Sequence, residues 1–365
     1  MATMLPHPAL TSLGWDPGWQ AAFAPFAAAG RLPARVVVAH RDAWILATSN
    51  GDHDAVISGR FRHEALGPGD LPAVGDWVVV SDTEPAVISA VLPRRSAFGR
   101  NREDGQVVSD QVLAANVDTG FVVAGLDGDF NLRRLERYLA VAWSGGTTPV
   151  ILLNKSDTTD DLDGLRVAAE AVAPGVEVRT VSARTGHGVE DLRRDHLTPG
   201  RTAVLLGSSG VGKSTLVNAL LGHDRQRTGA VREDDGKGRH TTRYRELVRL
   251  PGGALLIDTP GIRSLGVAGA ADGMDAAFAD IAAFAVGCRF GDCTHEREPG
   301  CEVRAALADG RLAEDRLASH RKLEREAAHV ARSGDRLLRE AERRKWKAIG
   351  MAGRAHMQQK YGSDR

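Results

Sequence analysis

Three short motifs lie along this 365-residue chain in an unusual order. Asn154-Lys155-Ser156-Asp157 comes first, Gly207-Ser208-Ser209-Gly210-Val211-Gly212-Lys213-Ser214 second, and Asp258-Thr259-Pro260-Gly261 last. In turn they read as a guanine-selecting motif, a phosphate loop and a metal-side motif. Ordinary guanine-nucleotide domains start with the phosphate loop and finish with the guanine motif. A chain that carries the parts in rotated order must rebuild the same site with its ends moved. The expected core is therefore a circularly permuted α/β domain, bracketed by whatever precedes the guanine motif and follows the metal-side motif.

The flanking sequence supports that partition. Residues 1–34, with Trp15, Trp19, Phe23 and Phe26 among Ala, Gly and Pro, read as a short helical extension. From 35 to 105, the runs RVVVAH, AWILAT, DAVISGR, DWVVV and AVISAVLP are short β-rich segments punctuated by Gly, Asp, Asn and Pro. Closely spaced short strands predict a small antiparallel barrel. An OB-fold has the right size and strand number; an SH3-like barrel leaves much the same trace. The polar stretch Pro93–Gln106 reads as a linker. From 106 to 270, apolar strands (TGFVVAGL, PVILLN, RTAVLLG, GALLID) alternate with helical patterns such as LRRLERYLAVAW. That alternation predicts a doubly wound parallel sheet. Residues 271–325 hold every cysteine and then turn helical, and 326–365 read as a basic helical tail. From Arg321 to Arg365 there are 13 Lys/Arg against 6 Asp/Glu, although the whole chain is balanced at 47 of each. No apolar run reaches membrane-span length, and no secretory signal is evident at the start. A monomeric, cytoplasmic protein is expected.

Gly207–Ser214 matches G-x-x-x-x-G-K-[ST] in full, with an apolar strand before it and a helical STLVNALL after it. Glycines let backbone N–H groups turn toward phosphate oxygens, and the helix N-terminus adds partial positive charge. Lys213 is placed to reach the β- and γ-phosphates and Ser214 to bind Mg²⁺, with Thr215 next in the helix. A chance Gly-rich turn does not account for strand, loop and helix together.

Asn154, Lys155, Ser156 and Asp157 follow a strand pattern. One carboxylate there can accept from both N1–H and the exocyclic amine of guanine; adenine has no N1 donor and leaves it unpaired in a dry pocket. Asn154 can bridge neighbouring loops, and the Lys155 stem can lie over the base. Ser182 and Ala183, with Arg184, follow the next strand and can support the base through backbone N–H groups.

On the metal side, Asp258 ends an apolar strand, as a Walker B-type aspartate does. The Gly261 N–H is placed to meet the γ-phosphate. Ile262 stands where many GTPases carry a water-orienting glutamine, so slow intrinsic hydrolysis is expected. Either Thr241 or Thr242, in the Gly-containing charged run before this strand, is a candidate for sensing the triphosphate through Mg²⁺. His240 is a candidate for orienting water, or is simply an exposed loop histidine.

The chain has only three cysteines. They form Cys288-x₄-Cys293-x-His295-x₅-Cys301, the Cys₃His set of a closed structural Zn²⁺ site. The odd count disfavours a disulfide framework.

Together these residues resemble the bacterial ribosome small subunit-dependent GTPase A family. The resemblance rests on VGDWVVV, LAANVD, NKSD, SARTGHGV, GSSGVGKSTLVNAL, GRHTT, DTPGIRSLG and the cysteine–histidine cluster, over roughly residues 35–325. It implies an OB-fold barrel, a permuted P-loop GTPase domain and a C-terminal, mainly helical zinc-binding domain. It also implies GTP/GDP, Mg²⁺ and one structural Zn²⁺, and GTP hydrolysis stimulated by the small ribosomal subunit during its late maturation. The subunit and its rRNA are the implied partners. RNA contact is expected from the barrel, from Arg94, Arg95, Arg100 and Arg102, and from Arg343, Arg344, Lys345 and Lys347 around Trp346. The permuted order suggests that γ-phosphate contacts set the placement of the zinc domain, which hydrolysis then releases. The competing reading is a GTP-controlled RNA-binding module with incidental hydrolysis; a P-loop kinase or ATPase is opposed by the guanine motif.

Overall fold

The computed structural model describes residues 8–40, 42–103, 108–128, 130–223, 245–258 and 271–329. Five strands build the N-terminal barrel: β1 (Leu32–Ala39), β2 (Trp44–Thr48), β3 (Gly51–Ile57), β4 (Trp77–Val80) and β5 (Ala86–Val91). Their order β1-β2-β3-β5-β4 closes through a β1–β4 pairing, antiparallel except between β3 and β5. A closed 1-2-3-5-4 barrel is the OB-fold and settles the choice left open by the sequence. Successive side chains of a strand face opposite sides. Ala34, Val36, Trp44, Leu46, Val78, Val80 and Ile88 accordingly fill the barrel interior. The alternate residues Val37, Trp77 and Val79 face outward into a second core, so β1 and β4 are buried on both faces.

That second core also receives the N-terminal extension. Helices α1 (Pro8–Thr11) and α2 (Pro17–Ala27) bury Trp15, Trp19 and Phe23, and Trp15 meets Trp77 edge-on at 4.6 Å between ring centroids. Asp16 caps α2 by accepting from Trp19 N at 3.0 Å. The extension is thus part of the folded core, and β1 begins at Leu32, inside the segment expected to be extension. A short helix, α3 (Gly59–Glu64), links β3 toward β4.

The stretch expected as a linker is different. β6 (Ala97–Glu103) and β7 (Val108–Ala115) pair as an antiparallel hairpin that crosses the expected domain boundary at 105/106. Two of the arginines expected to meet RNA are committed within the protein. Arg94 binds buried Asp76, with Nη2–Oδ2 at 2.7 Å, and donates to the Gly69 and Leu71 carbonyls. Arg95 pairs with Asp16 and stacks over Trp19 at 4.1 Å. Gly75 lets the connection into β4 touch the hairpin: at φ +92°, a Cβ there would lie 2.1 Å from the Ala115 carbonyl oxygen.

The α/β domain contributes β8 (Thr119–Gly125), α4 (Leu132–Ser144), β9 (Thr148–Asn154), α5 (Leu162–Val172), β10 (Glu177–Thr180), α6 (Val189–His196), β11 (Thr202–Leu206), α7 (Lys213–Leu221), β12 (Arg245–Arg249) and β13 (Leu255–Asp258). Its strand order is β10-β9-β8-β11-β13-β12, parallel except for β12. α4 and α5 pack on one face with Ile151, Leu153, Val204 and Ile257, while α6 and α7 cover the other with Phe121, Val123, Val150 and Leu205. Each such fully buried side chain stabilises by about 1.5–3 kcal/mol relative to exposure. The sequence reading did not include β12. It pairs with β13 and, through Val38↔Glu246 and Ala39↔Arg245, with β1, joining barrel and domain into one 11-stranded sheet.

The C-terminal region comprises α8 (Ala271–Ala277), α9 (Ala279–Ala285), the cysteine loop, α10 (Glu302–Ala308) and a helix over residues 314–329. It packs on α4. A Cβ on Gly273 would stand 2.1 Å from Ser144 Oγ and 2.7 Å from the Ala140 carbonyl oxygen. Buried Arg316 reaches Glu136 at 2.9 Å and Asp280 at 2.7 Å. Arg133 and Arg137 of α4 pair with Asp315 and Glu326.

Candidate nucleotide and metal sites

The described parts of the permuted motifs lie at the carboxyl ends of the parallel strands β9, β11 and β13, with β8 between β9 and β11, where open α/β sheets hold their ligands. Asn154, at the end of β9, is 1% exposed. Its Nδ2 donates to the Val211 carbonyl at 2.8 Å, and its Oδ1 accepts from Ala183 N at 3.1 Å. One side chain therefore ties the guanine motif to the phosphate loop, 57 residues later, and to the Ser182–Ala183 loop. Gly212 is glycine for this reason as well as for its φ of +93°: a Cβ would sit 2.3 Å from Asn154 Nδ2.

Lys155 adopts a left-handed backbone (φ 64°) and its ammonium pairs with Asp127, just beyond β8. Ser156 and Asp157 open a short 3₁₀ turn. The Asp157 carboxylate accepts from Ser182 Oγ at 2.5 Å and pairs with the exposed Arg184 guanidinium. The Ser182 hydrogen bond, aided by Arg184, holds its pKa below the usual carboxylate value, so it is an acceptor at neutral pH. Guanine donors would approach this carboxylate in competition with Arg184. Asp127 is a participant that the sequence reading missed; its place just past a parallel strand was the available signal.

Gly207–Ser214 connects β11 to α7. Gly207, Gly210 and Gly212 have φ values of +146°, +83° and +93°, which side-chain-bearing residues rarely adopt. Gly207 also runs against β8, since a Cβ there would lie 2.4 Å from the Val123 carbonyl oxygen. Lys213 Nζ donates to the Gly207 carbonyl at 2.7 Å and to that of Ser208, so it lies over the loop it would share with a phosphate. Ser214 and Thr215 lie in the first turn of α7, where backbone N–H groups and the helix dipole favour an anion. Ser209 and Gly210 form the turn that follows Ser208, and Arg134 of α4 approaches Ser208 Oγ at 3.5 Å. Asp258 ends β13, the parallel neighbour of β11, half-buried beside the loop's strand. His240, Thr241, Thr242, Gly261 and Ile262 lie outside the described residues, as does the Arg343–Lys347 cluster.

Cys288, Cys293, His295 and Cys301 converge, with their ligand atoms all within 4.8 Å of one another. Cys288 Sγ lies 3.9 Å from Cys301 Sγ and 3.6 Å from His295 Nδ1, and Cys301 Sγ lies 3.4 Å from that nitrogen. Zn–S bonds of about 2.3 Å and Zn–N bonds of about 2.0 Å give tetrahedron edges of roughly 3.5–3.8 Å; the Cys288, His295 and Cys301 atoms match these edges and Cys293 Sγ lies within 4.8 Å of them, a donor set that suits a zinc ion. Burial opposes ionisation of Cys288, but the Val303 and Glu302 backbone N–H groups outweigh it and lower its pKa. Burial also lowers the His295 pKa, favouring the neutral imidazole that a metal requires. Arg321 donates to the His295 carbonyl at 2.6 Å, fastening the loop to the last described helix.

An OB-fold barrel fused to an α/β sheet whose guanine motif precedes its phosphate loop defines a circularly permuted P-loop GTPase. The family model described as "RsgA GTPase" matches residues 91–268. The chain is 50% identical to "Small ribosomal subunit biogenesis GTPase RsgA" of Opitutus terrae, covering 95% of this chain and 97% of that protein. It is 45% identical to the protein of the same name in Streptomyces coelicolor, covering 98% and 97%. Among solved structures, YjeQ from Thermotoga maritima matches with a TM-score of 0.61 and 26% identity, covering 82% of this chain and 99% of that one. The structure titled "YloQ, a circularly permuted GTPase" shares the fold, with a TM-score of 0.56, 21% identity and coverage of 82% and 95%. The chain belongs to the RsgA GTPase family.

Proposed function

We propose that this GTPase binds the small ribosomal subunit late in its maturation and hydrolyses GTP to GDP and phosphate when the subunit stimulates it. The carrying observation is Asn154, whose bonds to Val211 and Ala183 tie the Asn154–Asp157 turn to the Gly207–Ser214 loop and to the Ser182–Ala183 loop. The names of the relatives from Opitutus terrae and Streptomyces coelicolor supply the partner. In this reading Asn154, Lys155, Ser156 and Asp157, supported by Ser182 and Ala183, select guanine. Gly207–Ser214 and Thr215 cradle the phosphates. Ser214 and Asp258 hold Mg²⁺, with Thr241 or Thr242 completing its shell in the triphosphate state. Gly261 meets the γ-phosphate and His240 orients water. Cys288, Cys293, His295 and Cys301 hold one structural Zn²⁺. The protein acts as a monomer in the cytoplasm; no helix among the described residues is long and apolar enough to cross a membrane.

The test is co-sedimentation with purified small subunits in the presence of GDP or a non-hydrolysable GTP analogue, across a salt series. Binding that is tighter with the analogue and falls steeply with salt supports the reading, because phosphate contacts release counterions. Nucleotide-independent, salt-insensitive association overturns it.

A further inference from the structure

The strand between the two nucleotide loops leads into a carboxylate that neither motif contains. β8 lies between β9, which carries Asn154–Asp157, and β11, which carries the phosphate loop. Its last residue, Gly125, stands in register with Asn154, and the next, Leu126, donates its N–H to the Asn154 carbonyl at 2.9 Å. Asp127 then turns back over the strand end. A Cβ on Gly125 would stand 2.8 Å from Asp127 Oδ1 and 3.4 Å from Val211 Cα of the phosphate loop. Lys155 comes to meet it. Thr158 holds the left-handed Lys155 backbone, donating to the Lys155 carbonyl from N at 3.0 Å and from Oγ1 at 2.8 Å. The Lys155 stem passes Gly212, where a Cβ would lie 3.8 Å from Cε, and the ammonium ends on Asp127 Oδ2.

We propose that Asp127 is a positioning residue for guanine-nucleotide binding and acts through Lys155. The inference rests on the reading of Asn154–Asp157 as the guanine site, in which the Lys155 methylenes lie over the base. A lysine stem has many rotamers, and immobilising it as the ligand arrives costs affinity. The Asp127 pair fixes the stem beforehand, so the nucleotide meets an ordered surface. The two side chains are 27% and 36% exposed, which screens their attraction and leaves the pair little weight in fold stability. Its effect falls on the ligand instead. The reverse dependence also holds. A carboxylate beside a phosphate loop repels an anionic ligand, and the Lys155 ammonium neutralises it. Asp127 thus orders Lys155, and Lys155 keeps Asp127 from opposing the phosphates.

The test is the affinity of the full-length protein for GDP carrying a ribose-linked fluorophore, measured for the wild type, Asp127→Ala, Asp127→Asn, Lys155→Ala and the double variant Asp127→Ala/Lys155→Ala. Asp127→Ala should bind roughly two- to tenfold more weakly, the cost of ordering one long side chain. Asp127→Asn keeps an acceptor for the ammonium and should recover part of that loss. In the double variant, removing Asp127 should cost nothing beyond Lys155→Ala, because its effect passes through that side chain. A residue that merely supports the fold would cost the same in both backgrounds. Wild-type affinity in Asp127→Ala, or equal losses with and without Lys155, would overturn the inference and leave the guanine site standing. Equal displacement of the probe from the wild type by GDP and ADP would instead defeat the guanine reading, and the inference with it.

Discussion

At the residue scale, the nucleotide site depends on a few side chains whose partners are all polar and whose positions are fixed. Asp157 is the proposed base-selecting group, and its carboxylate is presented by Ser182 and Arg184. Asp157→Asn replaces one acceptor with a donor. GTP affinity should fall by roughly a hundredfold or more, since unpaired polar groups in such pockets carry large penalties. XTP, with a carbonyl in place of the guanine amine, should gain; competition binding measures both. The pH response follows from the depressed pKa. A lowered carboxylate pKa leaves the acceptor ionised above its ordinary range, and the function is lost only as pH falls through the depressed folded value. GTP binding should therefore be flat from about pH 8 to about pH 5 as far as Asp157 is concerned, and Ser182→Ala should move the acid loss to higher pH. Calorimetric titration across that range checks it; a fall beginning near neutral pH in the wild type would show that Asp157 does not control binding.

At the scale of elements, α4 joins the nucleotide core to the helices that flank the cysteine–histidine cluster. Arg316 is 4% exposed and pairs with both Glu136 and Asp280. Arg316→Ala removes one of the two guanidiniums on the buried Glu136 carboxylate, leaving Arg133, and also removes the partner of Asp280; thermal or denaturant unfolding should record a loss of about 1–3 kcal/mol. A loss under about 1 kcal/mol, typical of an exposed pair, would show that the cluster is solvated. The elements that were legible in the sequence are those whose burial follows a simple period. TGFVVAGL, PVILLN and RTAVLLG are strands buried on both faces and read as apolar runs; LRRLERYLAVAW shows its helical stripe. β12 escaped because RELVR offers only Leu247 and Val248 between charges, and its strand state comes from pairing with β13 and β1, residues distant in sequence. The β6–β7 hairpin escaped because its polar, Gly-containing strands lack apolar alternation. Arg94 and Arg95 looked like an RNA-binding cluster because sequence shows charge but not its partners, Asp76 and Asp16. The motifs were readable because their chemistry depends on residue type at fixed spacing. The tryptophans of the N-terminal extension were visible, but their destination against Trp77 was not.

At the scale of the whole molecule, both flanking domains are fused to the nucleotide core. β12 pairs with β1 on the barrel side. Buried Arg35 strengthens the same junction: it donates to the carbonyls of Leu13, Gly75 and Asn116 and to Thr202 Oγ1. Desolvation lowers its pKa to about 10, which leaves it charged at neutral pH. On the other side, Gly273 and Arg316 seat the C-terminal helices on α4. The sequence order suggested that hydrolysis releases the zinc domain; this packing argues against a swinging domain. Small-angle scattering of the free protein with GDP and with a non-hydrolysable analogue should give superimposable profiles. A clear change in radius of gyration would contradict the fused arrangement. The central claim, a GTP site assembled from permuted motifs and activated by the small subunit, is tested most directly by turnover. Purified protein would be assayed alone and with small ribosomal subunits, using GTP and, as control, ATP. Slow basal hydrolysis with large stimulation for GTP alone is the predicted result. Equal turnover with and without subunits, or equal use of ATP, would contradict it.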